Sequence, residues 1–369
     1  MAVAYLCEAV INQITKMYEN ADDSSGSMGG AIETAFYRLN SLVELENNQP
    51  DEVVNYIFEY AIRECNKDIY QGWDWGHNLR SLACDAVRNK QQAAQVMDIL
   101  NQSIAADKNR KYGEYAVEST ERLKYFLLTE HYSKESAEKH LHENLQYSSF
   151  RKMALEKAIE EKRYEDVRRL AEEGITQDQG RYAGLVKNWK EWLVRLSKVT
   201  GDTSSFVKIN EELFLDRGNM EYYRKLKEVI PKEDFDNKIE IYIKHFRKRE
   251  DARWGPAFNQ YVATILEEEN RVDDLMNEIK KAPSLHRLDL YFDLLGTHFK
   301  SDFLVLYEKL VRQYMDNNTG RGIYIECCKY IDKIVRLGGL EDAKMIVADW
   351  RKKHPRRRAM IEELSRYKW

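Results

Sequence analysis

Trp73-Asp74-Trp75-Gly76-His77 gathers two indoles, a carboxylate and an imidazole within five residues. Tryptophan dominates the hot spots of protein interfaces, so Trp73 and Trp75 are the candidate anchors for a partner. The competing role is structural: indoles wedged between helix layers, with their N–H groups on loop carbonyls. Asp74 and His77 can meet around a metal ion, but two ligands do not make a site. A second cluster, Arg351, Lys352, Lys353, Arg356, Arg357 and Arg358, puts six basic residues into eight positions. Its chemistry is phosphate contact on nucleic acid or another polyanion. No aromatic residue interleaves it, unlike a single-strand binding platform, and the same charges would stabilise a helix C-terminus.

Other chemistries find no foothold. Nucleophilic catalysis needs a Ser, Cys or Thr beside a histidine and an orienting acid, and neither a G-x-S-x-G elbow nor a local cysteine signature is present. Gly26-Ser27-Met28-Gly29-Gly30 and Gly320-Arg321-Gly322 match no phosphate-cradling loop and read as turns. His140-Leu141-His142 would point its rings about 200° apart on a helix, which one metal site cannot use. His131 and Glu135 flank a helix break. Cys7, Cys65, Cys84 and the adjacent Cys327-Cys328 form no C-x-x-C pair. They are expected to be free buried thiols in a reducing cytoplasm. We expect no catalytic residues, no metal and no cofactor.

The elements that position these residues are helices. Low Pro and Gly contents (5 and 17) with 33% charged residues favour helix, and 7 Trp, 23 Tyr and 12 Phe supply a core despite a mean hydropathy of −0.67. No stretch approaches the roughly 18 uncharged apolar residues of a membrane span, and the first residues lack the pattern of a secretory signal. Residues 1–150 carry 14 basic and 23 acidic side chains; the last 19 carry 8 and 2, so the basic signal is a local patch.

Three segments share one pattern: Arg163-Tyr164-Glu165-Asp166, Arg271-Val272-Asp273-Asp274 and Gly339-Leu340-Glu341-Asp342. Each follows an amphipathic helix and starts another with an acidic pair suited to the helix dipole. Tyr164, Val272 and Leu340 read as apolar staples there. The spacings are near multiples of about 34–36 residues, the size of a helix–turn–helix repeat. Between them Gly174 reads as a helix stop, Gly201-Asp202 as a turn and Gly218 as a stop. Nearer the start, the loop from Asn20 should run through Gly30, with helix resuming over 31–46. Pro355 should open a last short helix.

Glu143-Asn144-Leu145-Gln146-Tyr147-Ser148-Ser149-Phe150-Arg151, with Ala158-Ile159-Glu160-Glu161-Lys162-Arg163-Tyr164, resembles the helical region of bacterial SWIM zinc-finger proteins. Gly184–Lys190, Asn219–Tyr223, His354–Met360, the Asp22–Gly26 loop and the Gly72-Trp73 neighbourhood are similar too. The resemblance implies a TPR-like array in a cytoplasmic bacterial protein. That family's finger has a C-x-C…C-x-H pattern, which this chain lacks. The chain is either a fragment without the finger or a homologue that never had one, and nothing about zinc carries over.

The expectation is an all-α fold, a right-handed α–α superhelix of helical hairpins with about 18–20 helices. An N-terminal helical region over 1–147 should lead into a TPR-like array over 148–369. Such scaffolds bind a protein or peptide partner without covalent chemistry. The alternative is a nucleic-acid-associated module using the C-terminal basic run, and an enzyme with a site assembled from distant residues ranks last.

Overall fold

The computed structural model describes residues 1–18, 21–44, 49–70, 74–108, 110, 113–249 and 258–369. Regular structure among them is entirely helical, with 21 α-helices. The chain divides into two compact units, Met1–Gly201 and Asp202–Trp369. Within each unit helices pack mainly on their neighbours in chain order, as in an all-α solenoid. The expected change of character at 147/148 lies inside the first unit, and Gly201-Asp202 is the division between units.

The first unit comprises α1 (Ala2–Tyr18), α2 (Ser27–Val43), α3 (Asp51–Glu64), α4 (Trp75–Asp85), α5 (Lys90–Asp107), α6 (Glu114–His131), α7 (Lys134–Glu143), α8 (Ser148–Glu160), α9 (Tyr164–Asp178) and α10 (Ala183–Thr200). One core runs from Ala4 to Leu127 and includes Phe36, Ile57, Phe58 and Leu79. A second runs from Leu141 to Leu196 around Phe150, Leu155, Leu170 and Trp189.

The second unit comprises α11 (Thr203–Arg217), α12 (Met220–Val229), α13 (Lys232–Arg249), α14 (Gln260–Glu268), α15 (Val272–Lys281), α16 (Leu285–Leu290), α17 (Phe292–Leu295), α18 (Lys300–Asn317), α19 (Arg321–Arg336), α20 (Leu340–Lys353) and α21 (Arg358–Leu364). Its core is aromatic: Phe214 meets Tyr223, Tyr242 and Phe246 at 5.1–5.4 Å between ring centroids. Tyrosine hydroxyls at the edges donate to carboxylates on other helices, Tyr223 to Glu269 at 2.8 Å and Tyr307 to Asp289 at 2.7 Å. A phenol satisfied in this way buries its ring without stranding its O–H.

The three repeated segments share a backbone turn as well as a sequence pattern. Lys162, Asn270 and Gly338 are left-handed, with φ of 58°, 53° and 92°. The following residues, Arg163, Arg271 and Gly339, have φ of −83°, −84° and −86°. Their amides reach back five residues, to the carbonyls of Ala158, Leu266 and Ile334 at 2.8, 2.8 and 3.0 Å. This is a Schellman ending whose last residue is also the cap of the next helix. Each second helix starts where expected, at Tyr164, Val272 and Leu340. The expected apolar staple fails at Leu340, which is 40% exposed. The buried positions lie one turn further in, at Val167, Leu275 and Ala343. Arg163 and Arg271 both pair with the acid three residues on, Asp166 and Asp274. Gly339 stands in for arginine because a Cβ there would lie 2.5 Å from Leu304 Cδ2.

Other boundaries depart from expectation for local reasons. α2 begins at Ser27, inside the expected loop, because the Asp23 carboxylate accepts the Met28 and Gly29 amides at 2.9 Å each. Those donors hold the Asp23 carboxyl below its usual range. Gly174 does not stop a helix: α9 continues to Asp178, with Gly174 buried against α10. Gly201 and Gly218 do end helices, both left-handed. The last helix starts at Arg358 rather than Pro355.

Candidate functional site

A cleft in the first unit has a volume of about 950 Å³. The end of α3, α4, α5 and α6 form most of its wall. Trp75 at the start of α4 is only 7% exposed and meets Tyr18 edge-on at 5.1 Å, which pins the helix to α1. With that end fixed, His77 and Arg80 come to line the cleft on α4. Gly76 sits against the arginine, whose Nη1 would lie 3.6 Å from a Cβ placed there, an ordinary contact distance.

The lining is cationic. Arg80, Arg110 and Arg122 line it from α4, the turn after α5, and α6, and Lys67 from the turn after α3. Lys67 is neutralised by Glu64 at 2.7 Å, and Arg110 pairs with the buried Asp107 at 3.0 Å. Arg80 has no carboxylate partner among the described residues. Its Nη1 reaches the Cys65 carbonyl at 3.4 Å, and its buried Nε has no hydrogen-bond partner. Burial lowers its pKa, and Asp107 partly offsets this. Arg122 is exposed, and its side chain makes no hydrogen bond or ion pair among the described residues. Burial, reinforced by Arg80 and Arg122 and opposed by Asp74, pushes the His77 pKa below its usual value. Tyr115 and Phe126 add aromatic surface at the rim, both exposed.

The residues singled out from sequence have other places. Trp73 lies outside the described residues. Trp75 is a core side chain, and its buried indole is not a surface anchor. Three of the six residues of the basic run are engaged within the fold. Arg351 donates to the Leu364 carbonyl at 2.7 Å, and Arg357 to the Met315 carbonyl at 2.9 Å, so both close off helix ends. Lys353 is paired with Asp316 at 2.6 Å. The side chains of Lys352, Arg356 and Arg358 are exposed, without a hydrogen bond or ion pair among the described residues. The sequence offers these six residues as one local basic patch; the fold engages Arg351, Lys353 and Arg357 and leaves Lys352, Arg356 and Arg358 exposed.

Histidine and cysteine geometry is structural. His140 is buried, within 3.2 Å of the Glu121 carbonyl and carboxylate, whereas His142 is exposed. All five cysteines are free and buried. Burial raises the Cys65 thiol to about 11 and Cys327 to about 12, which makes them poor nucleophiles at neutral pH. No group of three or more His, Cys, Asp or Glu able to hold a metal occurs among the described residues, and none of their helices is long and apolar enough to cross a membrane.

Arg80, Arg110 and Arg122 were not legible as a set. They lie on separate elements of an acidic half of the chain, and no local motif joins them. The only signal nearby was the Asp74–His77 pair, noticed as metal ligands rather than as part of a charged cleft. The chain matches no protein-family model, no curated protein and no solved structure.

Proposed function

We propose that this chain is a non-catalytic helical-repeat scaffold of the cytoplasm that binds a protein or peptide partner, with the cleft of the first unit as its groove. The cleft carries the reading. It is wide, open to solvent and lined by charged and aromatic side chains held on helices, which suits an extended segment better than a sequestered reaction. The high thiol pKa values fit the same reading, because they remove cysteine as a ready nucleophile. The resemblance to the helical region of bacterial SWIM zinc-finger proteins supports a TPR-like role. The nucleic-acid alternative loses ground, since three of its six expected phosphate contacts are engaged within the fold.

The test is affinity capture from the native host with the wild-type chain, with Ser119→Trp, and with the triple variant Lys352→Glu, Arg356→Glu, Arg358→Glu. Ser119 lines the cleft, so an indole there fills it. A protein retained by the wild type and the triple variant but lost from Ser119→Trp supports the reading. Recovery of nucleic acid alone, lost in the triple variant, overturns it.

A further inference from the structure

We infer that the cleft of the first unit is an oxyanion site, in which Arg80, Arg110 and Arg122 bind carboxylate or phosphate groups of an anionic ligand. The inference rests on reading this cleft as the groove and adds the chemistry of what enters it.

Composition argues first. Residues 1–150 carry 23 acidic side chains against 14 basic ones, yet four cations line the cleft; Lys67 and Arg110 are paired with Glu64 and Asp107, which leaves Arg80 and Arg122 against Asp74. The lining therefore reverses the charge of the chain around it. Bringing like charges together costs free energy, and low-dielectric walls raise that cost. An anion in the cleft would remove it.

Hydrogen bonding argues independently. Arg80 is an always-charged, planar donor fork. Its Nε is buried without a partner, and its one carbonyl contact is long, at 3.4 Å. A buried donor left unmade is rare in a folded protein and calls for an explanation. Because Nε is shielded from solvent, a carboxylate or phosphate in the cleft would be bound by the terminal guanidinium nitrogens. Arg122 approaches from another helix and Arg110 from the turn after α5, so two further forks surround the same space. The hydroxyls of Ser81 and Ser119 also line it, and can donate to remaining anion oxygens.

The experiment is calorimetric titration of the full chain with two probes, pyrophosphate and a hexaglutamate peptide. It compares the wild type with Arg110→Glu, Arg122→Glu and Arg80→Lys. Arg122 is exposed and without an ion pair, so its reversal should leave the fold intact; Arg110 pairs with the buried Asp107, so its reversal is read only where the circular dichroism melt shows a folded chain. Saturable binding of either probe, weakened about tenfold or more by Arg122→Glu, is expected from loss of a charge-assisted bidentate contact. Arg80→Lys should weaken it too, because an ammonium keeps the charge but loses the fork. Pyrophosphate as the tighter probe identifies a phosphate-bearing ligand; hexaglutamate identifies an acidic peptide. No binding of either probe at millimolar concentration, or binding unchanged by both reversals, overturns the site. A captured partner lost from Ser119→Trp yet retained by Arg122→Glu leaves the groove standing and removes only its oxyanion chemistry.

Discussion

The indole N–H of Trp189 on α10 donates to Asp178 Oδ2 at the end of α9, at 2.7 Å, with the two side chains 3% and 4% exposed. A buried carboxylate is tolerable because this donor answers it. Trp189→Phe keeps most of the apolar surface and removes the donor. It should destabilise the first unit by about 2–3 kcal/mol, the range for losing a hydrogen bond to a charged group. Asp178→Asn retains an acceptor and should cost less. Urea unfolding followed by circular dichroism checks both, and equal losses would deny the bond its role.

Gly174 faces the same indole. A Cβ there would lie 2.9 Å from Trp189 Cδ1 and 2.8 Å from Arg151 Cδ. Neither neighbour yields easily, for Trp189 is held by Asp178 and Arg151 by the Leu170 carbonyl and Gln177. Alanine in a helix interior normally gains about 1 kcal/mol over glycine. Here overpacking should reverse the sign and cost about 1–3 kcal/mol. Gly30→Ala, in α2 with nothing within 4 Å of the new methyl, should show the ordinary gain. Thermal melts of the two variants should therefore move in opposite directions.

The shared turn makes a second contrast. Lys162 occupies a left-handed position, which costs a residue with a Cβ about 1–2 kcal/mol relative to glycine. Lys162→Gly should raise stability by about 1 kcal/mol, less its own chain-entropy cost. Asn270→Gly should gain less, since asparagine tolerates this region. Gly338→Ala should lose about 1 kcal/mol although its methyl meets nothing within 4 Å. Chemical denaturation of the three variants should give that order.

Acid should weaken the first unit through His77. Its folded pKa is lowered, by burial first and then by Arg80 and Arg122. The unfolded chain therefore takes up the proton more readily, so stability is full above the unfolded value near 6.5 and falls as pH drops through the folded one. The slope from one such group cannot exceed about 1.4 kcal/mol per pH unit. His77→Gln should flatten the pH profile of the melt below neutrality. An oxyanion beside the ring favours the imidazolium, so binding of hexaglutamate, whose carboxylates stay ionised above about pH 5.5, should tighten on mild acidification in the wild type and not in His77→Gln.

Much of the architecture was determined by short-range physics and was legible in the residue order. Apolar positions at helical spacing, acidic pairs at helix starts and Gly201 and Gly218 at helix ends are interactions within one turn, so α9, α15 and α20 begin where the sequence places them. What the sequence alone could not decide were matters of approach between helices. Gly174 reads as a stop in one dimension and is a contact in three, because only the packed α10 reveals what its missing Cβ makes room for. Trp75 looks like an exposed anchor until Tyr18 covers it. The six basic residues near the C-terminus form one run along the chain, yet the fold turns three of them onto carbonyls or a carboxylate. Arg80, Arg110 and Arg122 show the converse: they are scattered along an acidic sequence, and the packing of α4, α5 and α6 gathers them at one cleft. Charge and packing depend on distance in space, and only the tertiary structure sets that distance.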